Sequence, residues 1–331
     1  MQIGVIGAGA WGTALATVAA RNGHHVALWD PVPEISAMVN SEHRHPFALQ
    51  DVALAPTIVG KGDLEEVATA ALLLIAVPAQ SMRPALDALS QHIKPRTTLV
   101  ICAKGIEIKT GALMSEVAAA CAPQATVAVL SGPTFASEVA RGRPTAVTVA
   151  ADDQTAGEKI IHALGDQNFR PYLSDDVIGT QVGGAVKNVL AIACGIAHGR
   201  MLGDNARSAV ITRGVAEIGR LSLALGGKPE TLMGLSGIGD LVLTCTSEQS
   251  RNYSLGRTIG AGKTLERAMT ESANTVEGVA TAVSIANLSS RYGIEMPISY
   301  AVNSVLHDRA DIDTTIAALL ARPFRTEMAF M

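Results

Sequence analysis

Gln2-Ile3-Gly4-Val5-Ile6-Gly7-Ala8-Gly9-Ala10-Trp11-Gly12-Thr13-Ala14-Leu15-Ala16 is the stretch whose reading decides the fold. Residues 2–6 read as a short apolar strand and Thr13–Ala20 as a helix, joined by Gly7-x-Gly9-x-x-Gly12. The three glycines have separate duties in such a joint. Gly7 permits a tight turn, Gly9 lets a pyrophosphate approach the backbone, and Gly12 lets the helix pack closely on the strand, with phosphates met by the helix N-terminus. A second apolar strand, His25–Trp29, ends in Asp30, at about the twenty-residue offset of an acceptor for a ribose 2′-hydroxyl. Asp30 is also suited to capping the strand end. No Lys or Arg follows it in Pro31-Val32-Pro33-Glu34, which favours NAD(H) over NADP(H).

Working outward, strand and helix patterns alternate. Strands are expected at Thr57–Val59, Leu72–Val77, Leu99–Cys102, Thr126–Leu130, Ala146–Val149 and Arg170–Leu173, with helices at Asp63–Thr69, Met82–Gln91 and Gly111–Ala120. This alternation predicts an α/β fold with a Rossmann-type doubly wound parallel sheet over residues 1–179. From Asp175 onward the β-branched runs stop and helical periodicity takes over, predicting an all-α domain over 180–331. Two domains suit 331 residues, 48% of them hydrophobic. The sheet pattern also singles out Ala103-Lys104-Gly105 and Ser131-Gly132-Pro133-Thr134-Phe135, two loops after strands. Both are compatible with ordinary turn chemistry and with ligand binding at the carboxyl ends of strands.

The charge balance narrows the partners. A formal net charge of −4 without Lys/Arg runs excludes nucleic acid and anionic membrane as expected partners. The longest apolar run, Ala70–Ala79, is too short for a membrane span, and no secretory signal precedes Gln2, so a cytoplasmic protein is expected. Cys102, Cys121, Cys194 and Cys245 lack metal or CxxC spacing and read as reduced core residues. The histidines show no paired ligand spacing, so no metal is expected.

The second half carries its own polar signal. Gln181–Ala197 is apolar enough for a buried helix, yet Gly184, Lys187, Asn188 and Ala191 share one face at i, i+3, i+4 and i+7. A buried ammonium and amide need partners, so this face either pairs internally or lines a site. Gly183 and Gly184 favour the site, because they let something large approach the helix backbone. Further on, Asp240 and Thr244 lie one helical turn apart, and Ser250-Arg251-Asn252 looks like the capped start of another helix. Asp240 is open to a capping role and Arg251 to a surface one. An arginine beside free helix-start amides is also a phosphate binder.

Several blocks together resemble one family. Gly7–Ala16, Leu130-Ser131-Gly132-Pro133-Thr134-Phe135-Ala136, Lys187–Ala191, and Gly237-Ile238-Gly239-Asp240-Leu241 through Ser250-Arg251-Asn252 look like the NAD(P)-dependent glycerol-3-phosphate dehydrogenases of bacteria. The resemblance spans essentially the whole chain. It implies a dimeric enzyme that interconverts dihydroxyacetone phosphate and sn-glycerol 3-phosphate for phospholipid synthesis, with NAD(P)(H) as cofactor. By similarity Lys187 is the proton acceptor, and Lys104, Gly132, Thr134, Asp240, Ser250, Arg251 and Asn252 contact substrate. Ala10, Trp11, Lys104, Ala136, Arg251 and Glu277 would touch the cofactor. The chemistry of hydride transfer agrees: a desolvated lysine near a second ammonium such as Lys104 sheds its proton more readily. Asp240 and Thr244 would hydrogen-bond Lys187, while Lys104 and Asn188 would stabilise developing charge. A dehydrogenase of the same fold acting on a carboxylate would also use a helix lysine, and differs in having no need of Arg251 for phosphate.

Overall fold

The computed structural model describes residues 1–271 and 276–324. The first unit comprises Met1–Ala103 and Met114–Val177, the second Lys104–Leu113 and Ile178 onward. A single division at Gly179 would assign Lys104–Leu113 to the first unit. The contacts place it in the second.

In the first unit eight strands form one sheet: β1 Gln2–Ile6, β2 His25–Trp29, β3 Ile58–Lys61, β4 Leu72–Ile75, β5 Thr98–Ile101, β6 Thr126–Ser131, β7 Thr145–Ala151 and β8 Phe169–Ser174. Their order is β3-β2-β1-β4-β5-β6-β7-β8. Between them run α1 Ala10–Arg21, α2 Pro33–Glu42, α3 Leu64–Ala68, α4 Met82–Leu89, α5 Met114–Cys121, α6 Ala136–Ala140 and α7 Gln154–Leu164. The strand order reverses between β1 and β4, the switch point at which such sheets bind ligands. Central strands such as β4 (Leu-Leu-Leu-Ile) are buried at every residue, as a sheet covered on both faces requires.

The sheet departs from the all-parallel expectation at one place. β7 runs antiparallel to β6, with Ala128 opposite Ala151 and Ser131 opposite Thr148. The connection holds only the five-residue α6, so the chain turns back beside β6 instead of crossing over. β8 returns to parallel pairing with β7 after the longer α7. Helices α2 and α7 were not among the expected elements. α2 buries only Ile35 and Val39, which leaves little apolar stripe to read.

The second unit is helical: α8 Val177–Gly199, α9 Gly203–Ala224, α10 Asp240–Thr246, α11 Arg251–Gly260, α12 Leu265–Glu271, α13 Glu277–Tyr292, α14 Pro297–His307 and α15 Ile312–Leu320. By length and composition α8 could cross a membrane, but 89% of its apolar window is buried, which makes it a core helix. Val182, Ala185, Val186, Val189, Leu190 and Ala191 are all fully buried.

Gly183, Gly195 and Gly199 of α8 serve this core. A Cβ on Gly183 would stand 2.6 Å from the Ser236 carbonyl oxygen, so the large object approaching there is the chain's own backbone. Farther along, α8 and α11 cross on four glycines. A Cβ would lie 2.1 Å from the Tyr253 oxygen at Gly195, 2.4 Å from the Arg257 oxygen at Gly199, 2.1 Å from the Ile192 oxygen at Gly256, and 2.5 Å from the Ile196 oxygen at Gly260. Helix propensity alone says that Gly256→Ala should stabilise by about 1 kcal/mol. Two backbones in contact cannot yield as a side chain can, so overpacking should dominate, with a net loss of about 1–3 kcal/mol. Denaturant midpoints at constant m decide between the two signs; a gain in stability would contradict the close crossing.

Candidate active site

In the first unit the glycine loop has the geometry that its sequence demands. Gly7 adopts φ +96°, and a Cβ on Gly12 would lie 1.9 Å from the Gly7 carbonyl oxygen. Gly9 precedes the first turn of α1, and nothing stands within 4 Å of where its Cβ would be. Ala10 and Trp11 supply the first N–H groups of α1, which have no partner inside the helix. Asp30 follows β2, and its carboxylate accepts from Ala8 N–H at 2.8 Å and Val32 N–H at 3.2 Å. An open, donor-lined loop beside an acidic strand end fits a dinucleotide. Gly132 (φ +149°) and Thr134 follow β6, with Thr134 Oγ1 donating weakly to Gly132 O at 3.4 Å, and Ala136 begins α6.

In the second unit one carboxylate gathers the remaining polar groups. Asp240 is fully buried at the first residue of α10, and a backbone kink at Gly237 (φ −99°, ψ −106°), within the short helical segment Leu235–Gly239, redirects the chain just before it. Its Oδ1 accepts from Lys187 Nζ at 2.5 Å and its Oδ2 from Lys104 Nζ at 2.7 Å. Lys187 also donates to Thr244 Oγ1 at 2.7 Å, and Thr244 in turn donates to the Asp240 carbonyl at 2.6 Å. That second bond uses the only hydroxyl proton, so Thr244 meets Lys187 strictly as an acceptor.

Lys104 reaches this cluster because residues 104–113 fold into the helical unit. Ile106 pairs with Leu113, both are buried, and Ser284 Oγ donates to the Ile106 carbonyl at 2.9 Å. A chain of amides fastens the same loop. Gly278 N–H donates to Asn252 Oδ1 at 2.9 Å, Asn252 Nδ2 to Asn188 Oδ1 at 3.0 Å, and Asn188 Nδ2 to the Lys104 carbonyl at 3.3 Å. A backbone donor at one end and a backbone acceptor at the other fix the orientation of both carboxamides. Nothing in the sequence spacing announced this chain, since its members lie 26 to 84 residues apart.

The electrostatics follow from burial. Lys187 is 6% exposed, and desolvation pulls its pKa down to about 8; Asp240 opposes this and the Lys104 ammonium adds to it. Ser250 caps α11, accepting from Tyr253 N–H at 3.2 Å, and Arg251 is the first residue of that helix. Glu277, at the start of α13, attracts the Arg251 guanidinium and offsets part of the downward pull of its burial. The structure thus brings Lys104, Lys187, Asn188, Asp240 and Thr244 together in one hydrogen-bonded group, with Asn252 attached through Asn188. Gly7, Gly9, Ala10, Trp11, Gly12 and Asp30 form a second group in the first unit.

Both halves match described families. Residues 2–157 match the NAD-dependent glycerol-3-phosphate dehydrogenase N-terminus and residues 176–317 its C-terminus. The chain belongs to the NAD-dependent glycerol-3-phosphate dehydrogenase family. It is 53% identical to a glycerol-3-phosphate dehydrogenase [NAD(P)+] of Parvibaculum lavamentivorans over 326 residues, 98% of each chain. Its counterpart from Rhodospirillum rubrum is 52% identical, covering 98% of this chain and 94% of the relative. The crystal structure of the Coxiella burnetii glycerol-3-phosphate dehydrogenase superposes with a TM-score of 0.94 at 38% identity, covering 97% of this chain and 99% of that one. The protein is accordingly an NAD(P)-dependent oxidoreductase of the glycerol-3-phosphate dehydrogenase type.

Removing the shared anion tests the cluster. Asp240→Ala leaves two ammonium groups facing each other in a buried setting, and should cost about 3–5 kcal/mol in unfolding free energy. Because Asp240 holds the Lys187 proton on, the milder Asp240→Asn should move the Lys187 titration below about 8. Side-chain NMR of the labelled lysines measures it directly. A Lys187 midpoint near the ordinary 10.5 in the unaltered protein would contradict the burial argument.

Proposed function

We propose that this enzyme reversibly reduces dihydroxyacetone phosphate to sn-glycerol 3-phosphate, with Lys187 as the acid–base group. The observation that carries this reading is the hydrogen bonding of the Lys187 amine. Two of its positions are used in donation to Asp240 and Thr244, and no third bond is made among the described residues. A neutral amine has two N–H bonds and one lone pair, so in that state the lone pair is what remains for a proton.

In the oxidative direction Lys187 takes the proton of the C2 hydroxyl as the carbonyl forms. Bound NAD(P) supplies the two-electron acceptor for the hydride that leaves C2. In reverse, protonated Lys187 gives its proton to the C2 oxygen, and the same residue serves both directions because its pKa of about 8 lies near neutrality. Lys104 stabilises negative charge on that oxygen and keeps the proton affinity of Lys187 low. Asn188 holds the Lys104 loop and adds its carboxamide dipole. Ser250 and Arg251, at the N-terminus of α11, receive the substrate phosphate with the spare Nδ2 hydrogen of Asn252. Gly132 and Thr134 keep the substrate contacts that the resemblance gives them, as Ala136, Arg251 and Glu277 keep theirs to the cofactor.

The cofactor is preferentially NAD(H). The Asp30 carboxylate and the lack of a cation in residues 31–34 oppose a 2′-phosphate. The enzyme works as a homodimer in the cytoplasm and supplies glycerol 3-phosphate for phospholipid synthesis. The cytoplasmic assignment is supported by four cysteines that are all free thiols.

Following NADH absorbance with dihydroxyacetone phosphate tests the reading, and no turnover with NADH or NADPH would overturn it. Lys187→Ala should lower kcat by about 10²–10⁴-fold in a folded protein. Arg251→Ala should raise KM for the phosphorylated substrate by roughly 10- to 100-fold, the worth of a charge-assisted hydrogen bond. NADPH should be used about tenfold less well than NADH or worse, because like charges would be juxtaposed at Asp30. The pH profile of glycerol 3-phosphate oxidation should rise through about 8 as Lys187 loses its proton, and that limb should disappear or move in Lys187→Arg.

A further inference from the structure

His45 lies in the loop after α2, only 3% exposed, and no part of the reaction described above uses it. Its Nε2 is 2.7 Å from the Ala8 carbonyl oxygen in the glycine loop. Its Nδ1 accepts two backbone N–H groups, from Phe47 at 3.0 Å and Ala48 at 2.9 Å. An acceptor nitrogen carries no proton, so the ring proton sits on Nε2 and is donated to Ala8 O. Thr13 Oγ1 donates to the same carbonyl at 2.9 Å, while Ala8 N–H is held by Asp30. Both peptide groups flanking Ala8 are therefore fixed.

This clamp determines what the loop shows to an anion. No cis peptide bond occurs among the described residues, so the Gly9 N–H points away from the side on which Ala8 C=O is held. Gly9 is exposed, and nothing stands within 4 Å of its Cβ position, so a ligand can approach the backbone at this residue. A rotated peptide would present a carbonyl oxygen there, and oxygen facing phosphate oxygen repels. We propose that His45 is a positioning residue of the cofactor site: by holding Ala8 C=O it keeps the Ala8–Gly9 peptide turned so that N–H faces a bound pyrophosphate. The inference rests on the reading of Gly7–Gly12 as the dinucleotide site. It does not depend on the substrate or the proton-transfer group. Burial keeps the imidazole neutral by lowering its pKa, against the opposing charge of Asp30, so the donor and acceptor pattern persists at neutral pH.

Two substitutions separate the ends of the ring. His45→Asn retains an acceptor near the Nδ1 position for the Phe47 and Ala48 amides, preserving the turn, but is too short to reach Ala8. His45→Gln places an amide nitrogen where Nε2 was and restores that donor. NADH binding to the full-length protein is measured by its fluorescence without substrate, alongside steady-state kinetics and thermal midpoints. His45→Asn is expected to weaken NADH binding and raise its KM by about 5- to 30-fold, with kcat and the substrate KM within roughly twofold. His45→Gln should recover NADH affinity to within about threefold of the unaltered protein. If His45→Asn binds NADH as well as the unaltered protein, or His45→Gln is as weak as His45→Asn, the inference fails while the cofactor reading stands. If the unaltered protein does not bind NADH, the cofactor reading fails and takes the inference with it.

Discussion

The helical unit depends on one constraint: a single carboxylate, Asp240, removed from water and shared by two ammonium groups. Burying any of the three alone would be costly, and burying all three leaves more positive than negative charge. The surplus can be relieved by an arriving anion or by the loss of a proton from one amine. Burial draws Lys187 toward losing its proton, since only 7% of its side chain is exposed. Acid–base competence is thus a result of where the charges are placed, and needs no unusual side chain.

The surrounding architecture brings these groups to one point. The α8–α11 crossing on Gly195, Gly199, Gly256 and Gly260 draws two helices so close that Asn252 reaches Asn188. The kink at Gly237 sets the start of α10, where Asp240 stands. The Ile106–Leu113 pairing and the Ser284 bond hold the Lys104 loop. Small residues and backbone bonds carry the precision, while the charged residues carry the chemistry.

Much of this was legible in the sequence, and the limits are physical. The glycine fingerprint and the strand–helix alternation are local patterns, so the sheet and the dinucleotide loop could be read directly. Lys187, Asp240 and Thr244 stood out because polar residues in apolar helices violate the expected pattern. The antiparallel β7 was not legible, because strand direction depends on a connection whose path no periodicity records. Gly183 carried an ambiguous signal: the same residue type admits a ligand or neighbouring backbone, and here the Ser236 carbonyl takes the space. His45 was invisible, since a loop histidine has no spacing to mark it and its role comes from meeting Ala8, 37 residues earlier.

The excursion of residues 104–113 has a consequence for how this molecule can be divided. One of the two lysines on Asp240 is encoded between strands of the sheet, and the other in the helical half. A fragment starting after β8 would carry the carboxylate with only one of its cations, and a hybrid joined there from two relatives would inherit its amines from different parents. The natural unit of exchange is therefore the whole chain, because each half is compact in itself but interrupted in sequence.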